Sequence, residues 1–188
     1  MEVRVDRLCK AYDGKPVLRN ISLTLTPGVT CVMAPSGGGK TTLLRLLMGL
    51  ERPDAGSVAA PAGARWAAVF QEDRLLPWLD AAGNLRFALS GWDPARAASL
   101  LSELNISLAD PKPVGEYSGG MRRRLALARA LLAPSDLLAL DEPFTGLDAE
   151  NRGLARECLL RETAGKPVVL ATHDPGDAEA LGARVISL

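Results

Sequence analysis

The sequence predicts an α/β fold: a parallel sheet flanked by helices, preceded by an antiparallel β sub-lobe and interrupted by a small helical sub-lobe. Three observations carry this. Val3, Val5 and Leu8 alternate with charged residues before an Asp13-Gly14 turn, and Val17, Leu18, Ile21, Leu23 and Leu25 continue the alternation beyond it, as antiparallel strands with one buried face do. After Pro27-Gly28, short fully apolar runs alternate with helix-periodic stretches, the pattern of strands buried on both faces. Residues 79–108 are rich in Ala and Leu and broken at Gly91 and Pro94, which reads as helical.

The elements follow in order. Val29 to Met33 is the first buried strand and feeds the turn APSGGGKT at Ala34 to Thr41; Leu43, Leu46, Leu47 and Leu50 then recur at helical spacing. Pro53, Asp54 and Gly56 mark a turn that returns the chain to a strand at Trp66 to Phe70. Ser118 is placed to cap a helix through Leu132, which Pro134 ends. The strand Leu137 to Leu140 delivers Asp141 and Glu142 at its carboxyl end, where open α/β sheets place their chemistry. A helix around Ala149 to Thr163, a strand Val168 to Ala171 presenting Thr172 and His173, a helix around Asp177 to Leu181 and a short strand from Arg184 complete the series. The expected organisation is a single domain over 1–188, with a core of about 1–71 and 134–188 and a helical sub-lobe of about 72–133.

Composition narrows the function. The 188 residues are 47% hydrophobic, and 22 Lys and Arg balance 22 Asp and Glu. With zero formal charge, nothing in the composition suggests broad attraction to nucleic acid or anionic lipid. The run Arg122 to Arg124 reads as a solvated helix face. Cys9, Cys31 and Cys158 show no CxxC spacing, so neither a disulfide framework nor a zinc site is expected, and the three read as small buried hydrophobes. MEVRVDRL lacks the basic leader and apolar core of a signal peptide, and no apolar run approaches the ~20 residues of a membrane span. A soluble intracellular domain is expected, with any membrane role exercised through a partner.

The chemistry lies in three motifs. A glycine-rich turn ending in Gly-Lys-Thr, between an apolar strand and a helix, aims backbone N–H groups at nucleotide phosphates. Such a loop alone does not separate ATP from GTP chemistry. Ser118-Gly119-Gly120 opens a second helix, where glycines permit close backbone approach and first-turn N–H groups bind an anion. The third motif is Asp141-Glu142 at a strand end.

With APSGGGKT, YSGGM, LLALDEP and VVLATHD in this order, the chain resembles the ATP-binding-cassette ATPases from Tyr12 to its C-terminus. The resemblance implies a P-loop NTPase with a RecA-like parallel core, a helical sub-lobe carrying the signature turn, and ATP and Mg2+ as cofactors. Chemistry and resemblance together assign the roles. Lys40 neutralises the β- and γ-phosphates, wrapped by the loop from Ser36 through the amides of Gly37, Gly38 and Gly39. The Thr41 hydroxyl is a magnesium ligand, Thr42 assists at the α-phosphate, and Asp141 holds magnesium through water. Glu142, one residue further, is the general base. Gln71 matches the family's glutamine loop, which senses magnesium and the attacking water. His173, the only histidine, matches the switch histidine on the γ-phosphate. Tyr12 matches the adenine-stacking aromatic, and Asp148, in GLD, the loop that communicates between subunits.

One phosphate loop and one signature turn imply a head-to-tail dimer in which ATP is held between Lys40 of one copy and Ser118 and Gly120 of the other. The segments QEDRLLPW, DEPFTGLDAENR and ATHDPGDAEAL are most similar to the ATPases of nitrate, sulfonate and taurine type uptake systems. Leu75, Leu76 and Trp78 fall where importers of the family receive their membrane subunit. The expected partners are therefore a polytopic membrane permease, a second copy and an extracytoplasmic solute-binding protein, with no nucleic acid. The expected location is the cytoplasmic face of the cell membrane. An exporter ATPase, or a soluble switch in DNA repair or translation, is the alternative. Ala34 replaces the usual first glycine of the phosphate loop and carries a cost of roughly 1 kcal/mol if that position needs φ above zero. Tyr117 and Met121 replace the more usual Leu and Gln of the signature. The sequence stops at Leu188, soon after the switch histidine, as in a minimal cassette without a regulatory sensor and with a sheet edge for a partner to cover.

Overall fold

The computed structural model describes all 188 residues as two compact units. The first comprises Met1–Ala68, Ser135–Glu142 and Ala164–Leu188; the second comprises Val69–Pro134 and Pro143–Thr163.

In the first unit, β1 (Val3–Tyr12) and β2 (Lys15–Leu25) form the antiparallel hairpin, with Val3 opposite Leu25 and Tyr12 opposite Lys15. A third strand joins this sheet: β4 (Ala55–Ala59) pairs antiparallel with β1, giving the order β2-β1-β4. The expected bare turn at Pro53 to Gly56 is thus the entry to a strand. Its AGSVA sequence lacks a β-branched, alternating pattern, so its partner makes it a strand. Gly56 is required there: at φ 82 its backbone lies so close to β1 that a Cβ would sit 2.3 Å from the Arg7 carbonyl oxygen.

The second sheet has the order β5-β6-β7-β3-β8, from β3 (Gly28–Met33), β5 (Trp66–Val69), β6 (Leu137–Asp141), β7 (Pro167–Thr172) and β8 (Arg184–Ser187). β3 lies parallel between β7 and β8, and β6 runs parallel to β7. Every residue of β6 and β7 is buried, as expected of continuous apolar runs. Helix α1 (Lys40–Leu47) places Leu43, Leu44, Leu46 and Leu47 in one core with Val3, Val5, Leu8, Leu18, Leu137, Ala139 and Val169. Burying a leucine of this kind stabilises the fold by about 1.5–3 kcal/mol. Leu50 does not extend this stripe. Gly49 turns left-handed at φ 70, its N–H donates to Leu46 O and the Leu50 N–H to Arg45 O, which ends the helix and leaves Leu50 exposed. Between β7 and β8 lies α6 (Pro175–Ala180), begun slightly earlier than the periodicity indicates because Asp174 caps it and Pro175 opens it.

The second unit holds α2 (Ala81–Ala88), α3 (Pro94–Glu103), α4 (Gly119–Leu132) and α5 (Ala149–Glu162), capped at their N-termini by the side chains of Asp80, Asp93, Ser118 and Asp148. α4 packs against the other three. The arginine run on α4 is a correction to the solvated face expected. Arg123 and Arg124 are 5% and 7% exposed. Arg124 donates to Leu104 O and Asn105 O; Arg123 donates to Phe70 O at 2.6 Å and to Asp73 Oδ1 at 3.0 Å. A guanidinium carries five donors and is weakly hydrated, so it can be buried wherever loop carbonyls need partners.

Tyr117 is 3% exposed and its hydroxyl has no hydrogen-bond partner. Burial pushes this phenol above its ordinary range. A desolvated, unpaired hydroxyl costs about 1 kcal/mol or more. Tyr117→Phe is therefore expected to raise stability by about 1 kcal/mol and the melting midpoint by roughly 2–4 °C, read by calorimetry; a fall in the midpoint would show the hydroxyl to be stabilising.

Candidate active site

The phosphate loop joins β3 to α1, and its glycines are there for geometry. Gly37 and Gly39 have φ 78 and 88, open to glycine at no steric cost. A Cβ on Gly38 would lie 2.7 Å from Ala34 Cβ, and one on Gly39 2.8 Å from Leu18 Cδ2. Ala34 is not among the residues with positive φ, so the strain that a non-glycine would meet there does not arise. Lys40 opens α1 and folds over the loop: Nζ donates to Ala34 O at 2.7 Å and stands 4.0 Å from Glu142 Oε1.

The loop faces the end of β6. The Thr41 hydroxyl donates to Asp141 Oδ2 at 2.6 Å, across a separation of 100 residues. The next residue, Glu142, has φ 50, and its N–H donates to Ala171 O at 2.9 Å. Left-handed backbone costs a non-glycine residue roughly 1–2 kcal/mol, and such strain concentrates at functional sites. It turns the side chain so that Glu142 Oε1 lies 2.9 Å from His173 Nδ1. His173 follows β7 and is exposed, while Glu142 is half-buried. Beneath, Thr172 Oγ1 donates to Asp177 Oδ2 and accepts from the Asp174 N–H, fixing the turn that carries the histidine.

Phosphate loop, Lys40, Thr41, Asp141, Glu142 and His173 therefore converge in the first unit. Thr42 lies on the same helix turn. Tyr12, at the end of β1, is exposed, and its hydroxyl reaches both carboxylate oxygens of Glu51 at 2.8 and 2.7 Å. Nothing in residue spacing singles out Glu51, because it follows the helix-ending Gly49 in an otherwise ordinary loop. No cluster of three or more His, Cys, Asp and Glu could hold a metal by itself. A hydroxyl and a carboxylate oxygen in contact beside an anion cradle do fit a hard cation that completes its shell with water and phosphate.

The other proposed site residues lie in the second unit. Gln71 is exposed, and the loop it starts is bound to α4: Arg123 takes the carbonyls of Phe70 and Gln71, and Arg129 those of Asp73 and Arg74. Ser118 caps α4 by accepting from the Met121 N–H at 3.2 Å, with Ser118 and Gly119 exposed. A Cβ on Gly120 would approach Gly146 O at 3.4 Å. The Asp148 carboxylate accepts from the Asn151 N–H at 2.8 Å, which holds its pKa below the usual range. Trp78 and Phe87 are 70% and 76% exposed, on a loop and helix fastened together by the buried Asn84 amide, which bonds Leu76, Leu79 and Asp80 backbone groups. No helix is long and apolar enough to cross a membrane.

Residues 18–145 match the ABC transporter family. The chain is 42% identical to an aliphatic sulfonates import ATP-binding protein of Corynebacterium glutamicum, over 96% of this chain and 77% of that one. It is 40% identical to a taurine import ATP-binding protein of Pseudomonas fluorescens, over 99% and 77%. Among solved structures, a dimeric ATP-binding cassette in a post-hydrolysis state, bound to ADP and Pi, is similar with a TM-score of 0.86 and 27% identity, covering 99% of this chain and 94% of that one.

Proposed function

This chain belongs to the ABC transporter family, and on that premise we propose that it is the ATP-hydrolysing subunit of an importer for small sulfonates. The observation that carries the catalytic part is Glu142: a strained carboxylate, held between His173 and Lys40 and adjacent to the Thr41–Asp141 pair.

In this reading the loop amides from Ser36 to Gly39 and the Lys40 ammonium receive the β- and γ-phosphates, trading the Ala34 carbonyl for stronger, charge-assisted bonds. Thr42 supports the α-phosphate and Tyr12 stacks on adenine. Thr41 and Asp141 would hold magnesium. The ion would neutralise charge that develops on the phosphate oxygens. Glu142 accepts the proton of the attacking water. His173 holds the Glu142 carboxylate through Nδ1 and leaves its other ring nitrogen for the γ-phosphate. His173→Ala is expected to reduce turnover by roughly 10²-fold while ATP binding changes by less than about threefold. Steady-state hydrolysis beside equilibrium titration with ATP separates the two; equal losses in both would give the histidine a binding role instead.

Ser118, Gly119 and Gly120 are proposed to complete the phosphate site of a second copy in a head-to-tail dimer, with Asp148 at the join. The exposed Trp78 and Phe87, presented on a rigidly fastened loop and helix, suit docking to a polytopic permease. The protein would then work on the cytoplasmic face of the membrane, supplied by a solute-binding protein on the other side. The test is reconstitution with the cognate permease in vesicles. ATP-dependent uptake of taurine or an alkanesulfonate is the expected result. Failure to associate with any membrane subunit, with recovery of nucleic acid or ribosomes instead, would overturn it.

A further inference from the structure

The Tyr12 hydroxyl is bound by a residue outside the nucleotide motifs. Residues 51–54 connect α1 to β4 and run beside the end of β1. Asp54 anchors this loop: Oδ1 pairs with Lys10 Nζ at 3.0 Å, Oδ2 accepts from the Ala11 N–H at 2.7 Å, and its own N–H donates to Cys9 O at 3.0 Å. Lys10 Nζ also donates to Arg52 O at 3.0 Å. The loop is therefore held without Glu51. The Glu51 carboxylate instead straddles the Tyr12 hydroxyl, both oxygens within 2.8 Å. Tyr12 is the last residue of its strand and is exposed, with the Lys10 ammonium 5.5 Å from its ring centroid. A charge-assisted hydrogen bond to the phenol oxygen fixes the direction in which the ring points and, because the O–H prefers to lie in the ring plane, biases that plane for stacking.

We propose that Glu51 is a positioning residue for nucleotide base recognition: its carboxylate grips the Tyr12 hydroxyl and holds the ring ready to receive adenine. This rests on the reading of Tyr12 as the base-stacking residue. Because the bond joins the element under the base to the loop leaving α1, it fixes the distance between base platform and phosphate cradle. Partial desolvation and the Glu51 contact raise the phenol's pKa, keeping it a donor across the physiological range.

The experiment compares Glu51→Ala, Tyr12→Phe, their double variant and Tyr12→Ala in the full chain, by calorimetric titration with Mg-ATP and with Mg-tripolyphosphate, which has no base. Glu51→Ala and Tyr12→Phe are each expected to weaken ATP binding about three- to tenfold. The double variant should be no weaker than either single variant, and tripolyphosphate binding should be unchanged in all. Glu51→Gln, which still accepts from the phenol, should restore most of the affinity. If Glu51→Ala weakens tripolyphosphate as much as ATP, or if Tyr12→Phe binds ATP like the parent, the positioning role is overturned. Tyr12→Ala tests the underlying reading separately. A loss of ATP affinity there, with the other variants silent, rejects Glu51 alone; no loss rejects the stacking assignment itself.

Discussion

Replacing Glu142 with Gln is expected to lower steady-state ATP turnover by roughly 10²–10⁴-fold while ATP still binds. The substitution keeps size and shape at a residue whose backbone is already strained at φ 50, so the fold should tolerate it. An amide still accepts from His173 but cannot take a proton from water. It also removes an anion 4.0 Å from the Lys40 ammonium, so the γ-phosphate meets less negative charge and the ATP-bound form persists. With hydrolysis blocked, saturating ATP should shift the protein to a dimer in light scattering. Turnover within tenfold of the parent would remove Glu142 as the base, and a chain that stays monomeric with bound ATP would undermine the head-to-tail arrangement.

Lys40→Ala is expected to weaken ATP binding by roughly 10- to 100-fold, the equivalent of one lost hydrogen bond between charged groups, and to bring turnover below detection. Lys40 is the first residue of α1, where alanine is well tolerated, and its side chain makes no contribution to the apolar core. The melting temperature should therefore hold while affinity falls. Without the ammonium, the phosphates would face the carbonyl oxygens of Ala34 and Pro35 and the Glu142 carboxylate with only loop amides to offset them. Calorimetric titration measures this directly. ATP affinity unchanged from the parent would mean that Lys40 is committed to the loop carbonyls and never released to the nucleotide.

Much of this was legible because it is local. Apolar runs bounded by turns mark β3, β6 and β7; Ser118 stands immediately before the helix it caps; a glycine-lysine-threonine turn after a strand has few physical uses. β4 was not legible, because Val58 is its one residue with a strand preference among four small ones, and β1 supplies the ladder. The Arg122 to Arg124 run misled for a related reason. A charged triplet looks solvated until the loop carbonyls at Phe70 and Leu104 are known to lie beside it.

The sequence by itself determined the buried strands and the main helices in their order, the Ser118 cap, and the residue types capable of holding phosphate, metal and water, since these follow from periodicity and from side-chain chemistry a few residues apart. Only the tertiary structure decided which of them meet. Thr41 reaches Asp141 across 100 residues and Glu142 reaches His173 across 31, because β6, β7 and β3 lie side by side with their ends aligned. The left-handed turn at Glu142, the grip of Glu51 on Tyr12 and the stranded hydroxyl of Tyr117 are likewise outcomes of packing. Their energies come from neighbours distant in the chain, and no local pattern records such neighbours.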